Sequence, residues 1–405
     1  MIINLKIRNF KSIKDEISLS FEPVEKEDDY YIYEHNNQKI LKMLMIYGQN
    51  ASGKTNILKA LEFLRDFIFS APINKNDKIN IKPFLFTKDI KNDSYFEIEF
   101  LQNGIKYLYQ LTVSDVEVID ERLYFYNPNK ALVFDRKEFK FGSKINIKKS
   151  QKESLLNNTL INNTLLSGYM KTNIKIKEFD EVINWFSRLM KPIYPSTDLL
   201  GFTSNLLHDK EIDKQFIVNL LKNADFAIDN FEVIENDIDE EFKEFLLHLG
   251  KEKDADNFKK IDVLFTHYKR YQLDFISESR GTQRFYQLVI VLYLLLRDCL
   301  ILPIDELESS LHPDLLKHFL LIFLANSKES QLIFTTHSRE LLLEKDILRF
   351  DTIYFTEKKE DGSTELFSLS DFDSNIIRKE SSIYNIYKNG KLGANPNLKN
   401  YFLDI

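Results

Sequence analysis

With a single cysteine, Cys299, in 405 residues, the chain has no disulfide framework and no cysteine-based zinc site available to it. Glycine and proline number only 11 and 9, which argues against disorder and for packed helices and sheets. Long apolar runs are also missing. Leu288 to Leu296 is too short to span a bilayer, and Met1-Ile2-Ile3-Asn4-Leu5-Lys6 alternates like a strand rather than following a signal-peptide pattern, so no membrane partner and a cytoplasmic location are expected. Neither sign of charge dominates. A net charge of −7 gives no general attraction to nucleic acid or to an anionic membrane, although a local basic face could still exist. A chain this long can bury one large core or two to three smaller ones, so a domain carrying a sizeable insertion is expected.

The densest local signal lies at residues 43 to 61. The apolar run Met43-Leu44-Met45-Ile46-Tyr47 leads into Gly48-Gln49-Asn50-Ala51-Ser52-Gly53-Lys54-Thr55, and Asn56, Ile57, Leu61, Leu64 and Ile68 continue at helical spacing. A buried strand, a GxxxxGK[ST] loop and a helix make a P-loop. Glycines at 48 and 53 let the backbone N–H groups from Asn50 to Asn56 approach a triphosphate without a Cβ in the way. Lys54 supplies a charge to the β- and γ-phosphates, Thr55 a hydroxyl to Mg²⁺, and the helix directs the positive end of its dipole at the anion. ATP and Mg²⁺ are therefore the expected ligands.

Around this centre, Ile3, Leu5 and Ile7 and then Ile17, Leu19 and Phe21 alternate as two strands. Phe96 to Phe100, Asn103-Gly104 and Tyr107 to Val113 read as a hairpin on a type I′ turn, followed by strands near 118–126, 131–136 and 139–147. This is an antiparallel sheet laid beside the P-loop core. Between 130 and 153 there are eight basic against three acidic residues, which reads as a solvated strand edge in preference to a phosphate-backbone patch. From about 150 to 275 the pattern is mixed and mostly helical. Ile183, Phe186, Leu189 and Met190 share a face, as do Phe216, Ile217, Leu220 and Leu221, while Phe242 to Leu249 ends at Gly250, a fitting C-cap. No heptads persist, so a long coiled coil is excluded. Twelve acidic residues against three basic between 225 and 256 read as a solvated face.

Chemistry returns in the last third. Leu300-Ile301-Leu302-Pro303-Ile304 ends in Asp305-Glu306. ATP hydrolysis needs one carboxylate near the metal and another that activates water, and a strand end beside the P-loop strand would deliver both, with Asp305 on the metal side and Glu306 as base. Pro303 removes a ladder donor, so a local irregularity is expected there. Gln331 to Thr336 is a further buried strand that ends at His337, placed to contact the γ-phosphate. Ser279-Arg280-Gly281-Thr282 precedes a helical run from Phe285 to Leu295, so Ser279 and the Gly281 amide stand at a helix N-terminus able to hold a phosphate. That is one anion site more than a monomeric ATPase needs.

The order of these motifs resembles the ATPase heads of the ABC and SMC superfamily, with Ser279, Gly281 and Thr282 as signature, Ser309-Ser310-Leu311-His312-Pro313 as D-loop and His337 as switch histidine. More closely, the chain is similar to bacterial AAA-type ATPases of the RloA, AbiL and PARIS defence group, related to the OLD proteins but without their Toprim nuclease. The carrying segments are Asn9 to Ile13, Tyr47 to Asn56, Glu306 to Pro313, Phe334 to His337, Leu366 to Phe372 and Gly390 to Ala394; together the resemblance covers about 1–113 and 277–398. It departs from transporter ATPases in its signature, and the Q-loop glutamine is unassigned, Gln102 and Gln110 being candidates by position only. Asp371-Phe372-Asp373 has the composition of a D-x-D, but too little chain surrounds it for a nuclease.

Pattern and resemblance together lead to the expectation of an α/β, ABC-type head whose first half, with the antiparallel β-subdomain, spans 1–149 and whose second half spans 276–405, while the inserted mainly helical lobe over 150–275 is read from the pattern alone. The resemblance also implies a homo-oligomer, dimer or higher, with ATP at subunit interfaces, and a role as sensor or regulator of a separately encoded effector in antiphage defence. A RecF- or SMC-like repair ATPase that binds DNA is the alternative.

Overall fold

The N-terminal alternation forms β1 (Ile2–Arg8), which pairs antiparallel with β2 (Ile17–Ser20). A short hairpin, β3 (Ile32–His35) and β4 (Gln38–Leu41), precedes the P-loop strand β5 (Met43–Gly48) and helix α1 (Lys54–Phe69). Next come β6 (Ser94–Gln102), β7 (Ile105–Val113), β8 (Val118–Tyr126), β9 (Lys130–Asp135) and β10 (Lys140–Phe141). With β1 and β2 they form a seven-stranded sheet in the order β10-β9-β8-β7-β6-β1-β2. The computed structural model describes residues 1–24, 30–87, 93–193, 213–224, 226–237, 259–372 and 383–388.

Asn103 and Gly104 take φ values of 48° and 75°, so the expected type I′ turn closes the β6–β7 hairpin. Only Lys140 and Phe141 of the 139–147 segment pair, and they form the sheet's outer edge, where the charged stretch was expected. Part of that stretch turns inward, with Arg136 half-buried. Arg136 bonds the buried Glu121 carboxylate and the carbonyls of Leu160, Ile161 and Asn163. Burial raises the Glu121 pKa, with Arg136 opposing it.

Helices α2 (Lys149–Asn157), α3 (Leu165–Tyr169) and α4 (Lys177–Asn184), the last continued by a π-helical turn at Trp185–Leu189, cover this sheet. Trp185 stacks on Phe100 with centroids 4.0 Å apart, and Phe179 meets Phe134 at 5.1 Å. These buried rings tie residues 149–190 to the antiparallel sheet. The chain divides into one unit of Met1–Tyr194, Asp298–Leu307 and Leu324–Ile405 and another of Pro195–Arg297 with Glu308–Phe323. The change of unit thus falls near 194 rather than at the expected 150.

The second unit holds α5 (Lys214–Asn223), the antiparallel strands β11 (Ile228–Asp237), β12 (Lys259–His267) and β13 (Tyr271–Asp274), and α6 (Arg280–Arg297). The 150–275 segment therefore contributes a three-stranded sheet as well as helices. Tyr286 of α6 packs edge-on to Phe231 and Phe265 of that sheet, at 5.4 and 5.0 Å. The helix expected from Phe242 to Gly250 and most of the acidic stretch lie outside the described residues.

The first unit's other sheet is built from β14 (Ile301–Ile304), β15 (Gln331–Thr336), β16 (Ile353–Lys358) and β17 (Thr364–Ser368) around β5, in the order β14-β15-β5-β16-β17. All but β17 run parallel. Helix α7 (Pro313–Asn326) lies between β14 and β15 in sequence, and α8 (Ile383–Lys388) follows β17.

Two expectations change here. The Asp305 strand does not neighbour the P-loop strand, because β15 stands between them. Pro303 needs no irregularity. The Ile301 carbonyl accepts from Lys191 N–H on the side away from β15, so the proline nitrogen two residues on faces that outer side, where β15 asks for no donor. The two sheets are joined by Gln331, whose amide oxygen accepts from Ile2 N–H at 2.5 Å and whose NH₂ donates to the Ile2 and Leu41 carbonyls. Among the described residues no helix is long and apolar enough to cross a membrane.

Candidate active site

The loop after β5 turns sharply, with Ala51 at φ 62° and Gly53 at φ 103°. Gly53 is required twice over: its φ is strained for any L-residue, and a Cβ there would lie 2.0 Å from Thr364 Oγ1 and 2.7 Å from Ser12 Oγ. The loop is braced by hydroxyls from distant parts of the chain. Thr364 Oγ1 donates to the Ser52 carbonyl at 2.8 Å, and Ser12 Oγ lies 2.7 Å from Thr364 Oγ1. Since each hydroxyl has one proton, Ser12 donates to Thr364 and accepts from Asn56 Nδ2 at 2.7 Å. By the same reasoning Thr356, which donates to the Tyr47 carbonyl, accepts from Ser52 Oγ at 2.6 Å.

The buried Lys54 ammonium donates to the carbonyls of Gly48 and Gln49, both at 3.0 Å, and lies 3.1 Å from His337 Nε2. Thr55 Oγ1 is 2.9 and 3.1 Å from the two Asp305 carboxylate oxygens. Thr335 Oγ1 donates to Asp305 at 2.6 Å and accepts the Glu306 N–H at 2.8 Å, so one hydroxyl positions both acidic residues. Glu306 itself sits at φ 48°, a left-handed conformation uncommon for a non-glycine residue, with its carboxylate 3.7 Å from His337 Nε2. Asn50, Ala51, Gly53, Lys54, Thr55, Asn56, Glu306 and His337 line one cavity of about 370 Å³.

This donor set fits a magnesium nucleotide. Mg²⁺ keeps several waters and takes one or two carboxylates plus phosphate oxygens rather than an all-protein cage. Asp305 and Thr55 supply such a partial shell, and among the described residues no group of three or more His, Cys, Asp or Glu offers a fuller one. The glycine-floored loop and the Lys54 ammonium answer the phosphates.

In the second unit Ser279 caps α6. Its Oγ accepts the Thr282 N–H at 3.1 Å and lies 2.8 Å from Thr282 Oγ1, and its carbonyl accepts from Gln283 N–H. The first amides of the helix, Gly281 included, have no intrahelical acceptor. A Cβ at Gly281 would stand 3.4 Å from the Ser310 carbonyl and 3.8 Å from Ser279 Oγ, at van der Waals contact with both. The two glutamines considered for a Q-loop serve the antiparallel sheet, Gln102 bonding Glu181 and Gln110 bonding Glu97. Asp371 accepts from the Ser368 N–H as a local cap; Asp373 and residues 390–394 lie outside the described residues.

Four residues that hold the site were not singled out by motif: Ser12, Thr335, Thr356 and Thr364. Ser12 and Thr335 fall inside segments that carried the family resemblance. Thr356 and Thr364 have no local signal beyond a polar side chain buried in a strand.

Comparison with known families finds a match over residues 43–344 to the family described as "AAA domain, putative AbiEii toxin, Type IV TA system". A comparison with curated proteins finds no match. Solved structures similar to the chain include the SMC head domain from Thermotoga maritima, at 12% identity and TM-score 0.44, covering 91% of this chain and 98% of that one. An SmcHead bound to the C-winged helix domain of ScpA gives 14% identity and TM-score 0.46, covering 91% and 97%. A third, the Smc head domain with an extended coiled coil bound to the C-terminal domain of ScpA derived from Pyrococcus furiosus, gives 12% and 0.43, covering 93% and 98%. Likenesses this distant carry no functional argument.

Proposed function

Because the chain belongs to the family described as AAA domain, putative AbiEii toxin, Type IV TA system, we propose that it hydrolyses ATP as the sensor or regulator subunit of an antiphage defence system and controls a separately encoded effector. The observation that carries the ATPase reading is the single cavity in which Lys54, Thr55, Glu306 and His337 meet. In this reading Lys54 exchanges the Gly48 and Gln49 carbonyls for the β- and γ-phosphate oxygens, joined by the loop amides from Asn50 to Asn56. Thr55 and Asp305 hold Mg²⁺, which when bound neutralises charge developing on the phosphates. Glu306 orients the attacking water and takes its proton, His337 contacts the γ-phosphate, and Thr335 keeps Asp305 and Glu306 in register.

Ser279, Gly281 and Thr282 then serve a second subunit, closing over ATP held by its P-loop in a homo-oligomer. A mixing experiment tests this. Lys54→Ala and Gly281→Asp proteins are each expected to be inactive alone and to regain part of the wild-type turnover when mixed, because a hybrid interface pairs one intact P-loop with one intact signature. No recovery despite demonstrated subunit exchange would make the site complete within one chain.

The defence role draws on the family's description as a putative toxin of a toxin–antitoxin system, which suits a protein that works with a second gene product. Cells carrying this gene with its neighbour should restrict at least one phage in a broad panel, and the Lys54→Ala and Glu306→Gln strains should lose that restriction. Equal plaque formation on all strains, with DNA-stimulated ATP hydrolysis in vitro, would turn the assignment to DNA repair. The basic stretch such a repair enzyme would use has Arg136 committed to Glu121 and Lys140 paired with Glu138.

A further inference from the structure

The turn that leads into α6 sends its side chains in two directions. Ser277, Ser279 and Arg280 are exposed, while Glu278 among them turns inward, its side chain only 9% exposed. A carboxylate withdrawn from water needs a donor. His267, the last residue of β12, supplies it: its Nε2 lies 2.5 Å from Glu278 Oε1, and its own side chain is 15% exposed. Among the described residues no other side chain bonds that carboxylate.

Both ends of this contact are held by backbone. His267 pairs with Ile228 of β11 and Tyr271 of β13, and its carbonyl accepts the Arg270 N–H at 2.9 Å. Glu278 donates its N–H to the Phe275 carbonyl at 3.1 Å. Gln283 Nε2 reaches back from α6 to the carbonyls of Phe275 and Glu278, at 2.9 and 3.0 Å. The path of the turn is therefore fixed without the imidazole, and what His267 adds is the direction of the Glu278 carboxylate.

That direction matters because Ser279 follows at once. The start of α6 offers N–H groups and the positive end of a helix dipole to a phosphate, and a carboxylate swung beside it would repel a triphosphate and compete for the same donors. We propose that His267 is a positioning residue for this site: by holding Glu278 inward it keeps Ser279 and the Gly281 amide free for the phosphates of ATP carried by a second subunit. The proposal rests on the reading of Ser279, Gly281 and Thr282 as a signature. Arg280, the exposed neighbour of Ser279, adds charge of the sign that a phosphate needs.

The test measures steady-state ATP hydrolysis by the full chain beside binding of a non-hydrolysable ATP analogue. His267→Ala should lower kcat by about tenfold or more, as the approach of like charges does, while its own P-loop still binds the analogue. Glu278→Gln, with no charge left to restrain, should turn over close to the wild-type rate. A variant with both substitutions should recover to the level of Glu278→Gln, whereas a merely structural contact would leave it at least as impaired as His267→Ala. His267→Leu, nearer the imidazole in bulk, gives the same comparison if the alanine variant folds poorly. In mixtures, His267→Ala protein should gain turnover with Lys54→Ala protein, whose signature is intact, and none with Gly281→Asp protein. If Lys54→Ala and Gly281→Asp proteins fail to recover together, the two-subunit reading falls, and the double variant still decides the role of His267. A wild-type rate in His267→Ala, a Glu278→Gln variant as impaired as His267→Ala, or a double variant no better than His267→Ala would overturn the proposal.

Discussion

Replacing Lys54 with alanine should weaken ATP binding by about 10- to 150-fold, the equivalent of about 1.5–3 kcal/mol for hydrogen bonds to a charged group. Lys54 is only 5% exposed and its ammonium already sits inside the loop, on the carbonyls of Gly48 and Gln49, so its charge is delivered where phosphates would gather at little ordering cost. Alanine leaves the loop's own braces in place, because Ser12, Thr356 and Thr364 act on Ser52 and Asn56 rather than on Lys54. Loss of affinity should therefore come without global unfolding. Calorimetry with a non-hydrolysable ATP analogue measures it directly, and an affinity within twofold of wild type would remove Lys54 from the phosphate site.

Glu306→Gln should behave differently, keeping ATP affinity within a few-fold while slowing hydrolysis by about two to four orders of magnitude. Glutamine matches glutamate in shape, and the contact that positions this residue is its own backbone N–H to Thr335 Oγ1, which the substitution leaves intact. Only the ability to take a proton is lost. Phosphate release in a single turnover, measured beside equilibrium ATP binding, separates the two. Wild-type turnover in the Gln variant would dismiss Glu306 as base and move attention to His337, 3.7 Å away.

Several parts of this protein were legible because they depend on neighbours in sequence. The Asn103-Gly104 turn follows from two adjacent residues that tolerate positive φ, and strands β6 and β7 follow from period-two alternation on either side. The P-loop was readable for the same reason: strand, glycines, lysine and helix are contiguous. Ser279 capping α6 is likewise a local hydrogen bond, and it appears where the sequence places it.

Residues 150–190 show where this reasoning stops. Their helical periodicity was visible, but periodicity does not say which surface a helix covers, and Trp185 and Phe179 bury themselves against Phe100 and Phe134 of the antiparallel sheet. Sheet order is equally silent in the sequence. The apolar run before Asp305 has the composition of a central strand, yet β14 is terminal and β15 lies between it and β5. Parallel strands are joined by long crossovers whose placement is set by non-local packing rather than by local pattern.

The sequence by itself determined that the chain would present a phosphate loop, two acidic residues at a strand end and a histidine at another, since each is a contiguous run with its own backbone requirements. Only the tertiary structure decided that the loop, Glu306 and His337 share one cavity, that Asp305 meets Thr55, that Thr335 holds both acidic residues, and that Gly53 is hemmed in by Ser12 and Thr364, which are 352 residues apart. Those relations are hydrogen bonds and close approaches between distant segments. They exist only after the strands have paired, and no window of the sequence contains both partners.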